Sequence, residues 1–257
     1  MKKFIEYSSP WAFLMSFVLV SLFLSLISSM KIHENMKFSY FWGISFSLFM
    51  LLIIMFLWFR DSFRESISGY IDNDINSNIK FAVILFLISE AFFFITFFWM
   101  FFYSSLAPNL NFWPPINLWM PSFIGAPSLN TILLVSSSAT VTMAHFEAFT
   151  KKSYSSYWMM FTLLLSFSFI FIQALEYLGL SFNFSTSVGG SIFFMATGFH
   201  GLHVIIGTIA LLCCFFIMLK GYYSKNSMLS FELSIWYWHF VDAIWLMLFV
   251  VFYCWGH

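Results

Sequence analysis

The sequence predicts an all-α membrane protein of seven transmembrane helices, on three observations. The 257 residues are 61% hydrophobic and only 9% charged, with mean hydropathy +0.88; a soluble domain carries about a quarter charged residues. Seven apolar runs reach the roughly twenty residues that a helix needs to cross a bilayer. The basic residues collect on one side of those runs. Strands of a membrane barrel would be about ten residues long and would alternate in polarity, which these runs do not. A backbone in hydrocarbon must satisfy its own hydrogen bonds, and a helix does so.

The first run, Trp11–Met30, follows a more polar ten-residue stretch, MKKFIEYSSP. It is too long for a signal-peptide core and no small-residue cleavage site follows, so it is expected to stay as the first helix. The second is Phe38–Phe59 and the third Phe81–Tyr103, joined by RDSFRESISGYIDNDINSNIK, the most charged stretch of the chain. A long uncharged connection follows. Its Pro108, Pro114, Pro115, Pro121 and Pro127 oppose a helix, and Trp113 and Trp119 suit the membrane–water interface. The remaining spans are Ser128–Phe149, Tyr154–Leu178, Ser191–Leu219 and Leu233–Trp255.

Orientation follows from eleven Lys and Arg. Lys2, Lys3, Arg60, Arg64, Lys80, Lys151, Lys152, Lys220 and Lys225 share one side; only Lys31 and Lys37 lie on the other. This bias places the N-terminus inside and, with an odd number of spans, the C-terminus outside. Net charge is zero and the cations are scattered, so nothing points to nucleic acid. Cys213, Cys214 and Cys254 form no metal or disulfide pattern and read as small buried hydrophobes. No phosphate loop, nucleophile elbow or metalloprotease motif occurs, which argues against nucleotide-driven pumps and those hydrolases. The 39 Phe, with abundant Ile, Asn and Ser, fit translation from an AT-rich genome and so an organelle-encoded gene.

Function is to be sought among the ionisable residues inside the spans. Glu90, His200, His203 and Asp242 lie near the bilayer midplane, and His239 lies in the same span as Asp242; charge is costly there and side chains pair inward. His200 and His203 share one helix face, as do His239 and Asp242, and the simplest arrangement turns these faces toward each other. Two readings stand side by side: a proton relay with a buried carboxyl group, or hydrogen-bonded ties between helices. No catalytic residue and no metal site is expected; a haem held by His200 and His239 is the alternative weighed against that. His145, Glu147, Gln173, Glu176 and Glu232 lie near span ends, where side chains snorkel or cap. Gly198, Gly201 and Gly207 suit a closely packed sixth helix. Trp58, Arg60, Asp61, Arg64 and Glu65 form a mixed-charge turn that fits either an interfacial anchor or a lipid phosphate site.

Long collinear stretches then carry a resemblance. They are Ser9–Trp11, WFRDSFRES at Trp58–Ser66, ISEAFFFITFFWMFFYSSLAPN at Ile88–Asn109, WPP at Trp113–Pro115, LNT at Leu129–Thr131, VTMAH at Val141–His145, ATGFHGLHVIIG at Ala196–Gly207 and WYWHFVDAIWLMLFVVFYCWG at Trp236–Gly256. In these the chain resembles the subunit III family of the haem–copper oxidases, in its mitochondrial cytochrome c oxidase branch. The resemblance implies a two-helix bundle (about 11–59) and a five-helix bundle (about 81–255) separated by a lipid-holding cleft. It implies a subunit without haem or copper of its own, those cofactors lying in partner subunits, with phospholipids bound. The implied partners are subunit 1 directly, with subunit 2 and accessory subunits of respiratory complex IV, in the mitochondrial inner membrane. The implied role is to support assembly, lipid binding and proton uptake by the catalytic subunit as electrons pass from cytochrome c to O2.

Residue by residue, Glu90 matches the family's buried carboxylate on helix three, and Arg60, Arg64 and Lys80 match inner-side basic positions that meet lipid head groups. The chain departs from the family at Phe146, where a second histidine is common, at Lys80, where Arg is frequent, and in the histidine-free loop Ser224–Ser230. Two other functions remain open from sequence: a stand-alone proton channel or transporter, and the equivalent subunit of a quinol oxidase.

Overall fold

The computed structural model describes residues 9–30, 37–67, 73–106, 121–150, 154–223 and 228–255. Lys2, Lys3, Lys31, Lys151, Lys152, Lys225, Pro108, Trp113, Pro114, Pro115 and Trp119 lie outside the described residues. Seven α-helices follow in order: α1 (Trp11–Met30), α2 (Lys37–Ile67), α3 (Asn73–Leu106), α4 (Ala126–Phe149), α5 (Ser155–Gly179), α6 (Val188–Leu219) and α7 (Leu229–Leu248), which runs on as a π-helical turn, Phe249–Cys254. All seven are long and apolar enough to cross a membrane, and no strand occurs among the described residues. The all-α, seven-span expectation therefore holds.

The helices outrun the apolar runs that predicted them. α2 continues past Phe59 to Ile67, and α3 begins at Asn73, eight positions before Phe81. Most of the charged connection is thus helical, because nothing in RDSFRES or NDINSNIK breaks a helix. Hydropathy marks where a helix leaves lipid, not where it ends. Pro127 corrects the proline argument: it lies in the first turn of α4, where a missing backbone N–H leaves no intrahelical bond unmade.

The chain divides into two compact units, 1–72 and 73–257. In the first, α1 packs on α2. A Cβ added at Gly43 would touch the Ser25 Cβ at 3.5 Å, so the two helices meet through small residues. Ser16, Ser21, Ser25 and Ser28 each return their hydroxyl to the carbonyl three residues earlier, which is how an apolar helix carries serines at no polar cost.

In the second unit α4 packs on α5, α5 on α6, α6 on α7 and α7 back on α4; α3 lies against both α6 and α7. The ring encloses Leu134, Met159, Phe169, Phe193, Trp238 and Trp245, all fully buried. α6 starts at Ser187, whose hydroxyl accepts from the Gly190 N–H at 3.1 Å. It stops at Gly221, whose φ of +69° lets Tyr222 N–H reach the Ile217 carbonyl and Gly221 N–H the Met218 carbonyl. Large apolar side chains such as Phe17, Phe56, Trp99, Phe171, Ile209 and Val250 stay exposed. So broad an apolar exterior suits lipid and no aqueous surface.

Candidate functional site

The interior of the second unit is fastened by polar side chains across most of its helix seams. α3 and α6 are joined by Glu90 and His203, whose Oε2 and Nε2 stand 3.0 Å apart. α6 meets α7 where His200 Nε2–H donates to the Val241 carbonyl at 3.2 Å. α7 meets α4 three times: Trp238 Nε1–H donates to Ser137 Oγ at 3.0 Å, Trp245 Nε1–H to Thr131 Oγ1 at 3.1 Å, and Ser138 O–H to Asp242 Oδ2 at 2.7 Å. α4 meets α5 through Thr140 and Thr162 at 3.0 Å and through Asn130 Nδ2–H on Gln173 Oε1 at 3.1 Å. α5 meets α6 where Tyr177 O–H donates to Thr197 Oγ1 at 2.7 Å. The π-helical turn meets α5 where Tyr253 O–H donates to Glu176 Oε1 at 2.8 Å.

The Glu90–His203 pair has the most defined chemistry. It sits about 24 Å from either end of α3, at 1.5 Å per residue. His203 Nδ1 is 2.7 Å from the Phe199 carbonyl. A carbonyl only accepts, so Nδ1 carries a hydrogen. The contact between Nε2 and Oε2 then holds one proton, either on a carboxylic acid donating to imidazole or on an imidazolium donating to carboxylate. Both forms leave the pair with no net charge, which suits its depth. Phe94 packs edge-on against His203 at 5.2 Å and Tyr237 stacks on it at 6.3 Å, fixing the ring.

The expectation that the two histidine-bearing faces meet is corrected. His203 turns to α3, His200 to the α7 backbone, and Asp242 away to Ser138 on α4. His239 stays half-buried with Asp242 as its charged neighbour and makes no hydrogen bond among the described residues. The midplane residues therefore work as separate ties, because i, i+3 neighbours one turn apart still face different partner helices in a five-helix packing. His200 is 1% exposed between Phe169 and Trp245. No group of three His, Cys, Asp or Glu side chains converges as a metal set among the described residues.

Gln173 and Glu176 do not snorkel: Gln173 is buried on Asn130 and Glu176 accepts from Tyr253. The sequence alone assigns no role to Ser138, Thr131, Asn130 or Tyr253. The polar residues of α4 at 130, 137 and 138 lie at helical spacing on its buried face, which was the available signal. Of the three cysteines only Cys214 is buried; Cys213 and Cys254 are exposed, and all three are free. Gly198 and Gly201 face open space, so of the three glycines that the sequence marks in the sixth span only Gly207 makes a close approach.

The interfacial cations are engaged. Arg60 holds Asp61 through Nε at 2.9 Å and a second guanidinium nitrogen at 2.8 Å, and Arg64 lies 3.9 Å from the same carboxylate. Lys80 pairs with Glu232 in the first turn of α7 and sits 6.0 Å over the Trp236 ring. Trp58 is exposed beside the Arg60 turn. In the loop after α6, burial pushes the Tyr223 phenol well above its ordinary pKa.

Fold and site together define a multi-pass α-helical membrane protein with a cross-tied polar interior. The chain matches the family described as cytochrome c oxidase subunit III over residues 3–257. It is 42% identical over 255 residues to cytochrome c oxidase subunit 3 of Chondrus crispus, covering 96% of this chain and 92% of that one. It is 40% identical over 258 residues to that of Rhipicephalus sanguineus, covering 96% of each, and 43% identical over 215 residues to that of Coturnix japonica, covering 81% and 82%. The chain belongs to the cytochrome c oxidase subunit III family.

Proposed function

We propose that this chain is the non-redox core subunit of a mitochondrial cytochrome c oxidase. The match over residues 3–257 carries the reading. The subunit spans the inner membrane with its N-terminus in the matrix and binds subunit 1 directly, beside subunit 2 and accessory subunits. Haem and copper belong to those partners, which reduce O2 with electrons from cytochrome c. This chain supports their assembly, holds phospholipids and sustains proton uptake by the catalytic subunit.

Two features support the supporting role. Polar side chains of the interior tie neighbouring helices together, which favours a rigid scaffold. The Glu90–His203 contact puts a hydrogen-bonded carboxyl–imidazole pair at mid-membrane, which suits a group that assists proton delivery.

The test is purification of the tagged chain in mild detergent. Haem- and copper-bearing subunits 1 and 2 should co-purify, and the chain separated from them should lack a visible haem band. A stable lone protein that carries protons into liposomes, or one with stoichiometric haem, would overturn the reading.

A further inference from the structure

Four of the five ionisable residues marked inside the spans find partners within the second unit: Glu90 and His203 meet each other, His200 meets the Val241 carbonyl, and Asp242 meets Ser138. His239 is the exception, half-buried and without a hydrogen bond among the described residues. It lies close to the midpoint of the 26-residue apolar span Leu229–Cys254. An imidazole at that depth is costly against acyl chains, and such residues pair or face protein.

The face of α7 that carries His239 has the pattern of a helix seam. His239, Ala243 and Leu246 fall within about 60° of arc at 3.6 residues per turn, and Val250 follows four residues on, so the steps are four, three and four. Ala243, Leu246 and Val250 are exposed. Alternating steps of three and four let two helices pack along a left-handed seam, the common crossing in membranes. Ala243, one turn from His239, has the smallest side chain of the four, so a second helix can come close there. On α4, Val135 and Thr142 lie one turn to either side of Ser138, the partner of Asp242, and both are exposed. They widen the same face. The exposed faces of α3 and α5 present bulky rings instead, Phe92 and Trp99 on one, Phe161 and Phe171 on the other.

We propose that this face of α7 docks one transmembrane helix of a different polypeptide, with a hydroxyl or carboxamide side chain set against His239. A neutral imidazole brings one N–H and one lone pair, and a hydroxyl or an amide meets both kinds of group without adding charge. A helix delivers that side chain while its own backbone stays satisfied in hydrocarbon. An acyl chain offers neither donor nor acceptor. His239 then fixes the register of the incoming helix, as one polar residue does in the seam of a coiled coil. The inference rests on the reading that this chain works inside a multisubunit oxidase, and adds the docking face and the group that recognises the partner.

The test places a benzophenone amino acid at Leu246 and, as a control, at Phe171, in the chain within its native membrane. Irradiation is expected to join position 246 to a transmembrane segment of one other polypeptide, identified by mass spectrometry, and to leave position 171 unattached to that segment. In the purified complex His239→Leu should weaken retention of the joined polypeptide roughly three- to tenfold, the worth of one interhelical hydrogen bond. His239→Gln, which keeps a donor and an acceptor, should restore much of it. Should His239→Leu fail to accumulate, Ala243→Phe at an exposed position is expected to show the same loss by filling the seam. Crosslinks from 246 only to lipid, to a second copy of this chain or to another helix of the same chain overturn the proposal, as does full retention in His239→Leu. A complex that purifies intact with 246 facing lipid overturns this inference alone; a chain that purifies without any partner overturns the proposed function as well.

Discussion

Gly207 on α6 lies directly under the indole of Trp238 on α7: a Cβ at 207 would stand 3.0 Å from Cε3 and 3.2 Å from Cζ3. The ring cannot retreat freely, because its Nε1–H is held by Ser137 on α4. Gly207 thus sets the spacing of three helices. Gly207→Ala is expected to destabilise the protein by about 1–3 kcal/mol through overpacking, read as a lower midpoint of thermal unfolding in detergent. Gly201→Ala, where an added Cβ meets nothing within 4 Å, is expected to be neutral or slightly stabilising. Equal losses at both positions would refute the spacing role.

Glu90→Gln should leave the helical bundle intact. The amide N–H can donate to His203 Nε2, replacing the shared proton, while Nδ1–H stays on the Phe199 carbonyl. Glu90→Leu strands Nε2 without a donor and should cost about 1–3 kcal/mol. Thermal unfolding of the two variants separates them. A Gln variant as unstable as the Leu variant would mean that the ionised carboxylate is itself structural.

Ser138→Ala removes the donor to Asp242 Oδ2, and Oδ1 already has no partner among the described residues. The variant should lose about 1–3 kcal/mol, as expected when a buried acceptor is orphaned. Ser138→Thr, which keeps the hydroxyl, should recover much of it. Unfolding midpoints of the two variants, measured side by side, decide this; equal midpoints would argue that the 2.7 Å contact contributes little.

Lys80 and Glu232 tie the start of α3 to the start of α7, with side chains 38% and 27% exposed. At that exposure solvent screens the pair, so a double-mutant cycle of Lys80→Met and Glu232→Gln should give a coupling of only about 0.2–1 kcal/mol. The coupling should shrink as salt is raised. A larger, salt-independent value would place the pair in a dry site.

Arg60 spends its guanidinium fork on Asp61, so lipid capture at this turn should respond to that carboxylate. Asp61→Asn is expected to raise the anionic phospholipid retained in native mass spectra, and Arg60→Ala with Arg64→Ala to lower it. Unchanged lipid in both variants would remove this turn from the lipid sites.

The sequence by itself determined the class, the number of helices and their approximate places. Those follow from length and hydropathy, which are local quantities summed along the chain. It also marked Glu90, His200, His203 and Asp242 as residues that must find partners, since ionisable groups at that depth are costly wherever the helices go. Only the tertiary structure decided who the partners are. His203 could have faced His239 or Glu90; Asp242 could have faced either histidine and instead meets Ser138. Gln173 and Glu176 looked like span-end residues and proved to be interior ones. Gly198, Gly201 and Gly207 look alike in the sequence, yet one of them alone lies against a tryptophan. The physical reason is common to all of these: the face a helix turns to each neighbour depends on how five helices pack at once, and periodicity within one helix carries no record of that choice.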